Sequence, residues 1–189
     1  MRKVFVIYVV VQLWLVLILH PNNAALLKFT NARCRVHNAS WVKVNLCRLK
    51  ALSRNRTVFN FNATMLYPAY QIWMDAQLLK KANGYKPWLY NASADICRFL
   101  QKPFNPVIIL FVKAIRNYTN FNHTCPSVGP LIASGLHMPY EKLGIPFPTG
   151  EYLVKLDWFY HHRKQLSTDF YFLVDEGILN TTVIPNKRF

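Results

Sequence analysis

The sequence predicts a mainly β protein: an antiparallel β-sandwich or β-cup with one or two short helices inserted between the middle strands. Three observations carry that prediction. Apolar residues recur with period two in short runs from Phe29 onward. Helix signals are confined to one central stretch, from Ser93 to Tyr118. Glycine, proline and asparagine punctuate the remainder, and regularly spaced short strands suit a two-layer β fold.

The elements follow in order. Phe29 to His37 reads as a first strand, closed by the loop at Asn38. Val42 to Leu52 reads as a second, with Cys47, Leu49 and Ala51 on one face and Arg48 and Lys50 on the other. Thr57 to Leu66 alternates most clearly, setting Phe59, Phe61, Ala63 and Met65 against Asn60, Asn62 and Thr64. Tyr70 to Leu79 alternates again, up to a turn at Asn83-Gly84. Ser93 or Asp95 would cap a short helix through Gln101. Asn105-Pro106 would start a second helix through Tyr118, with Pro at the first helical position. Residues 125–150 read as a Pro-, Gly- and His-rich connection. The last pair of strands places Tyr152, Val154, Leu156, Trp158 and Tyr160, then Phe170, Phe172 and Val174, around a basic turn at His161-His162-Arg163-Lys164. About six strands are expected, with a helical insert between the fourth and fifth covering an open edge or one end.

The compartment is predicted independently. Arg2 and Lys3 precede a run, Val4 to Leu19, that is apolar except for Gln12, and His20-Pro21 breaks it before Ala24-Ala25. Residues 1–25 read as a secretory signal peptide, being short for a span of about 20 residues. Residues 26–189 read as one domain with a loosely ordered C-terminal tail. Asn38, Asn55, Asn62, Asn91, Asn117, Asn122 and Asn180 stand in Asn-x-Ser/Thr glycosylation sequons, where composition alone gives about one. Cys34, Cys47, Cys97 and Cys125 imply two disulfides in an oxidising compartment, with three possible connectivities. Extracellular, secreted localisation follows.

Charge and chemistry narrow the function classes. The chain carries 23 Lys plus Arg against 8 Asp plus Glu. Nucleic acid is excluded as a partner by secretion and the lack of a binding module. The basic residues Arg33, Arg35, Lys43, Arg48, Lys50, Arg54 and Arg56, with the turn at 161–164, suit a solvated face or a rim meeting an anionic membrane surface. The carboxylates Asp75, Asp95, Glu141, Glu151, Asp157, Asp169, Asp175 and Glu176 form no paired acid–base motif, and no nucleophile elbow, zinc motif or phosphate loop occurs. The expectation is a non-enzyme with no catalytic residues, no metal and no cofactor.

Several blocks of sequence carry a resemblance. They are Phe29-Thr30-Asn31-Ala32-Arg33-Cys34, Cys47-Arg48-Leu49-Lys50, Gly84-Tyr85-Lys86-Pro87-Trp88-Leu89, Asp95-Ile96-Cys97-Arg98-Phe99-Leu100, Asn122-His123-Thr124-Cys125-Pro126 and Pro148-Thr149-Gly150-Glu151-Tyr152. With these the chain resembles an insect family of small secreted proteins of unknown function, allied to the chemosensory B proteins. That family is similar to the ganglioside-activator branch of the MD-2-related lipid-recognition (ML) superfamily. The resemblance runs from Phe29 to about Tyr160. It implies an immunoglobulin-like β-cup with an apolar cavity between its sheets. It also implies a Cys97–Cys125 bridge and leaves Cys34–Cys47, which would staple the first hairpin. The chain has fewer cysteines than the activator, and none late enough to tie Cys34 to the C-terminal strand.

The candidate cavity residues are Phe59, Phe61, Met65, Ile72, Met74, Leu78, Tyr152, Val154, Leu156 and Trp158 on strands, with Ile108, Phe111, Val112 and Ile115 on the helix. Inward alternation is what any sandwich core needs; the resemblance is what points to a pocket. Aromatic and Met side chains suit a flexible chain. Ten buried methylenes would give about 8 kcal/mol before ordering costs. The leading expectation is therefore a secreted binding protein for a lipid or other small hydrophobic ligand, serving chemosensation or lipid presentation, with a receptor as a further partner. The alternative is an extracellular interaction module with a filled core that binds another protein or an acidic glycan.

Overall fold

The structure, a computed structural model, describes Gln12 and residues 25–176 apart from 122, 139, 141–142 and 144–146. Residues Ala25–Glu176 form one compact unit. Outside it only Gln12 is described; it is helical and exposed. The signal peptide, the C-terminal tail with its Asn180 sequon, and the Asn122 sequon lie outside the described residues.

The main unit is an antiparallel β-sandwich with two short helices. Its strands are β1 (Leu26–Val36), β2 (Val42–Ser53), β3 (Arg56–Ala69), β4 (Ile72–Ala82), β5 (Gly84–Asp95), β6 (Ser127–Leu136), β7 (Gly150–Tyr160) and β8 (Arg163–Asp175). The helices are α1 (Ile96–Gln101) and α2 (Pro106–Ile115), followed by a 3-10 turn at Arg116–Tyr118. One sheet has five strands in the order β1-β8-β7-β4-β5, and the other has three, β2-β3-β6.

Local chemistry explains the helices. Asp95 caps α1 by accepting from Arg98 N at 3.1 Å. Asn105 caps α2 by accepting from Val107 N at 3.0 Å and Ile108 N at 3.2 Å, and Pro106 begins the helix where no N–H is needed. Both starts agree with the sequence reading.

Three expectations are corrected. First, the described residues form eight strands. β5 and β6 fall where the sequence suggested a turn and a loop. Both are edge strands, the one place where a sheet tolerates Pro87 and Pro130 without losing a ladder hydrogen bond. Gly129 and Gly135 adopt φ of 84° and 63° in β6, and the pairing with β3 shifts between Phe59 and Phe61. Second, the helices lie between β5 and β6, not directly after β4. Third, β1 and β2 are not a hairpin. β1 pairs with β8, and Phe29 stands opposite Phe172. The Cys34–Cys47 bridge, with Cα atoms 6.2 Å apart, therefore ties one sheet to the other. The second bridge, Cys97–Cys125, has Cα atoms 5.4 Å apart and ties α1 to the segment before β6.

Candidate functional site

The two sheets differ in width, and that difference opens a space between them. β1 lies against β2 and β3. Phe59 of β3 meets Phe170 of β8 edge-on, with ring centroids 4.9 Å apart, and Phe29 of β1 lies 5.9 Å from Phe170. On the far side, β4 and β5 are covered by the helices. Met74, Ala94, Phe99 and Ile108 pack into one cluster there, with Ala76, Ala92, Ile109 and Val112 against it. The helices thus bridge from the wide sheet toward β6, where the bridge between Thr119 and Ala133 fixes the end of the 3-10 turn.

An apolar cavity of about 300 Å³ lies between the sheets and under the helices. That is the lower end of the range for small-molecule sites. Phe59, Phe61 and Met65 come from β3; Ile72, Met74 and Leu78 from β4; Val154, Leu156 and Trp158 from β7; Ile108, Phe111, Val112 and Ile115 from α2. All these sequence-selected residues line one cavity. Tyr152 does not. It is fully buried, stacked 5.4 Å from Phe172 and packed on Phe147 at 5.4 Å and Trp88 at 5.2 Å. Its hydroxyl donates to Pro148 O at 2.6 Å. Tyr152 therefore plugs one end of the sandwich as part of an aromatic cluster.

Much of the lining was not selected from sequence. Phe29 of β1, Phe170 and Phe172 of β8, and Tyr160 of β7 were visible as alternating apolar positions but were not assigned to the cavity. Tyr90 and Ala92 of β5, and Leu131, Ala133 and Leu136 of β6, went unseen because those strands did. Their weak period-two alternation was the available signal.

Among the described lining residues there is no Lys, Arg, Asp or Glu. Of these described lining residues His123 is the one that is exposed, so the lining comes to the surface beside Cys125. Burial pushes the Tyr160 phenol well above its ordinary pKa, leaving a neutral hydroxyl.

Polar side chains elsewhere hold the fold. Asp75 accepts from Trp73 Nε1 at 2.9 Å, Glu151 pairs with Lys81 at 2.8 Å, and Asp169 pairs with Arg35 at 3.1 Å. Glu176 accepts from Thr149 N at 3.2 Å. His37, Ser167 and Asp157 form a chain on the outer face of the wide sheet. Ser167 Oγ donates to Asp157 Oδ1 at 2.6 Å and sits 2.8 Å from His37 Nε2. The serine proton is committed to the carboxylate, so His37 must donate to Oγ and cannot act as its base. That order is the reverse of a nucleophile–base–orienter triad.

The sequon asparagines Asn38, Asn55, Asn62, Asn91 and Asn117 are exposed or half-buried. The basic residues Arg33, Arg35, Lys43, Arg48, Lys50, Arg54 and Arg56 are all exposed, on β1, β2, the turn that follows and the start of β3.

An antiparallel sandwich held open around an apolar cavity is a β-cup. Residues 74–154, from β4 to β7, match the protein family described as "Protein of unknown function (DUF1091)". The chain is also similar to a Niemann-Pick type C2 protein from Japanese carpenter ant, known from a crystal structure. The two are 9% identical, the match covers 79% of this chain and 93% of that one, and the TM-score is 0.30. No curated protein matches the chain.

Proposed function

We propose that the protein is a secreted, glycosylated, non-enzymatic binding protein for a lipid or other small hydrophobic ligand. The observation that carries this reading is the 300 Å³ cavity, predominantly apolar and with no Lys, Arg, Asp or Glu among its described lining residues, in a domain large enough to have closed its core. A cavity of that size forfeits packing that a filled core would have. Its retention makes sense if a guest supplies the missing contacts. Carriage, lipid presentation or chemosensory signalling would each use such a site. Secretion is supported by the N-terminal apolar run, the sequons and the two disulfides. The family resemblance read from the sequence points the same way, toward the ML superfamily.

The test is organic extraction and mass spectrometry of protein purified from a secreting insect-cell culture. One small hydrophobic species at near-stoichiometric yield is expected. Protein that carries no such species and binds no fluorescent hydrophobic probe overturns the reading.

One observation favours a second reading, an interaction module for an acidic partner. The exposed basic residues of β1, β2 and their turn cluster along one edge of the sandwich, where only Arg35 has a carboxylate partner among the described residues. Such an edge would attract anionic membrane or glycan. Co-sedimentation with anionic vesicles that falls steeply with salt supports it. Equal binding to neutral vesicles removes it.

A further inference from the structure

We propose that the guest is a neutral chain-like molecule whose oxygen-bearing end hydrogen-bonds to Tyr160 and Ser127. The inference rests on the cavity being a ligand site and adds which chemistry it takes and where the polar end lies.

Tyr160 is 3% exposed and Ser127 7%, and both line the cavity. Neither hydroxyl has a hydrogen-bond partner among the described residues. Buried hydroxyls are normally bonded, so a pair of unpartnered ones calls for a reason. Among the described residues, Gln165 Oε1 is the side-chain atom that is unpartnered and sealed off. The Tyr160 and Ser127 hydroxyls are unpartnered without being sealed, and the space they border is the cavity.

The pairing register places both at one end of the cup. Tyr160 stands opposite Ile72 and Ser127 opposite Ala69. The chain crosses between the sheets in the three steps from Ala69 to Ile72. Other polar groups of the lining are engaged: Thr168 accepts from Trp158 Nε1 at 3.1 Å, Thr119 donates to Ile115 O at 3.4 Å, and His123 pairs with Thr124 O at 3.0 Å. Gln77 is half-buried farther along β4, opposite Lys155.

The absence of Lys, Arg, Asp and Glu among the described lining residues sets the sign. A carboxylate or phosphate drawn to that end would lose its hydration with no counter-charge to replace it. Two neutral hydroxyls can each donate or accept, and so suit an alcohol, ester or carbonyl oxygen.

The test uses the secreted full chain loaded with N-phenyl-1-naphthylamine. Displacement is measured with 1-decanol, decane and decanoate, at a pH where decanoate is ionised. Decanoate is expected to be the weakest competitor. The ratio of decanol to decane potency is expected to fall about three- to tenfold in Y160F and in S127A, the range for one lost neutral hydrogen bond. Y160F removes an unpartnered hydroxyl, so its fold should persist, and S127A tests the same end separately. A bound probe with an unchanged ratio in both variants, or with decanoate as the best competitor, overturns this inference and leaves the hydrophobic-carrier reading standing. A protein that binds neither the probe nor any of the three overturns both.

Discussion

Phe59 of β3 and Phe170 of β8 meet edge-on at 4.9 Å, and at this point the two sheets touch. On one side of this contact the layers close onto the β1 and β2 edges. On the other they diverge into the cavity. The pair therefore works as the hinge side of a wedge, and Phe59→Ala should both loosen the fold and enlarge the pocket. The expected cost is about 3–5 kcal/mol in urea unfolding, with bulkier probes admitted. A cost under about 1 kcal/mol, far below that range, would mean the contact does not hold the layers.

The Cys34–Cys47 bridge should matter in a related way, because it joins the sheets on the closed side. Replacing both cysteines with alanine is expected to cost about 3 kcal/mol, the entropy of closing a loop near this length. The Cys97–Cys125 loop, with a sequence separation of 28 against 13, should cost only about 0.7 kcal/mol more. Chemical denaturation of the two double variants measures the difference.

Filling the space should separate binding from folding. Val112 lines the cavity from α2. Val112→Trp adds bulk where there is room, so the usual overpacking cost of about 1–3 kcal/mol should be reduced. Circular dichroism should remain native while probe affinity drops at least about tenfold, the equivalent of roughly 1.4 kcal/mol. Unimpaired binding would place the guest elsewhere.

Asp157 predicts an acid-side loss of stability. Its burial alone would raise the carboxyl, but hydrogen bonds from Lys164 and Ser167 outweigh it, and the nearby Lys164 and His37 charges add to them, so the net shift is downward from 3.8. A depressed folded pKa stabilises above the unfolded value and loses that contribution as pH falls through the folded one. Wild-type stability should therefore decline as pH drops from about 4, and Asp157→Asn should flatten that decline. Parallel pH profiles for the two proteins would refute the assignment. The Lys164–Asp157 contact, at 2.7 Å, is partly open to solvent, so the effect should weaken with salt.

The elements that the sequence showed most clearly share one property: their signal sits in adjacent residues. In β3 the burial alternates from Phe59 to Met65 as the side-chain pattern demands. The two helix starts were legible because a cap is a local hydrogen bond. β5 and β6 were illegible for a physical reason. Edge strands are under weaker constraint, so they carry Pro, Gly and small residues that read as loop. Most of the cavity face was visible as alternation. Tyr152 shares its strand face with Val154, and only the packing of Phe147, Trp88 and Phe172 around it shows that it closes the cup rather than lining it.

By itself the sequence determined the β class, the helix caps, which face of most strands is apolar, and the cysteine inventory. Each depends on side-chain order over a few residues. Tertiary structure alone decided that β1 joins β8 instead of β2, that the Cys34–Cys47 bridge spans the layers, and that a five-stranded sheet overhangs a three-stranded one. Strand order is a long-range pairing choice that no short window encodes. It is this order that leaves β4 and β5 without strand partners across the sandwich and holds the cavity open beneath the helices.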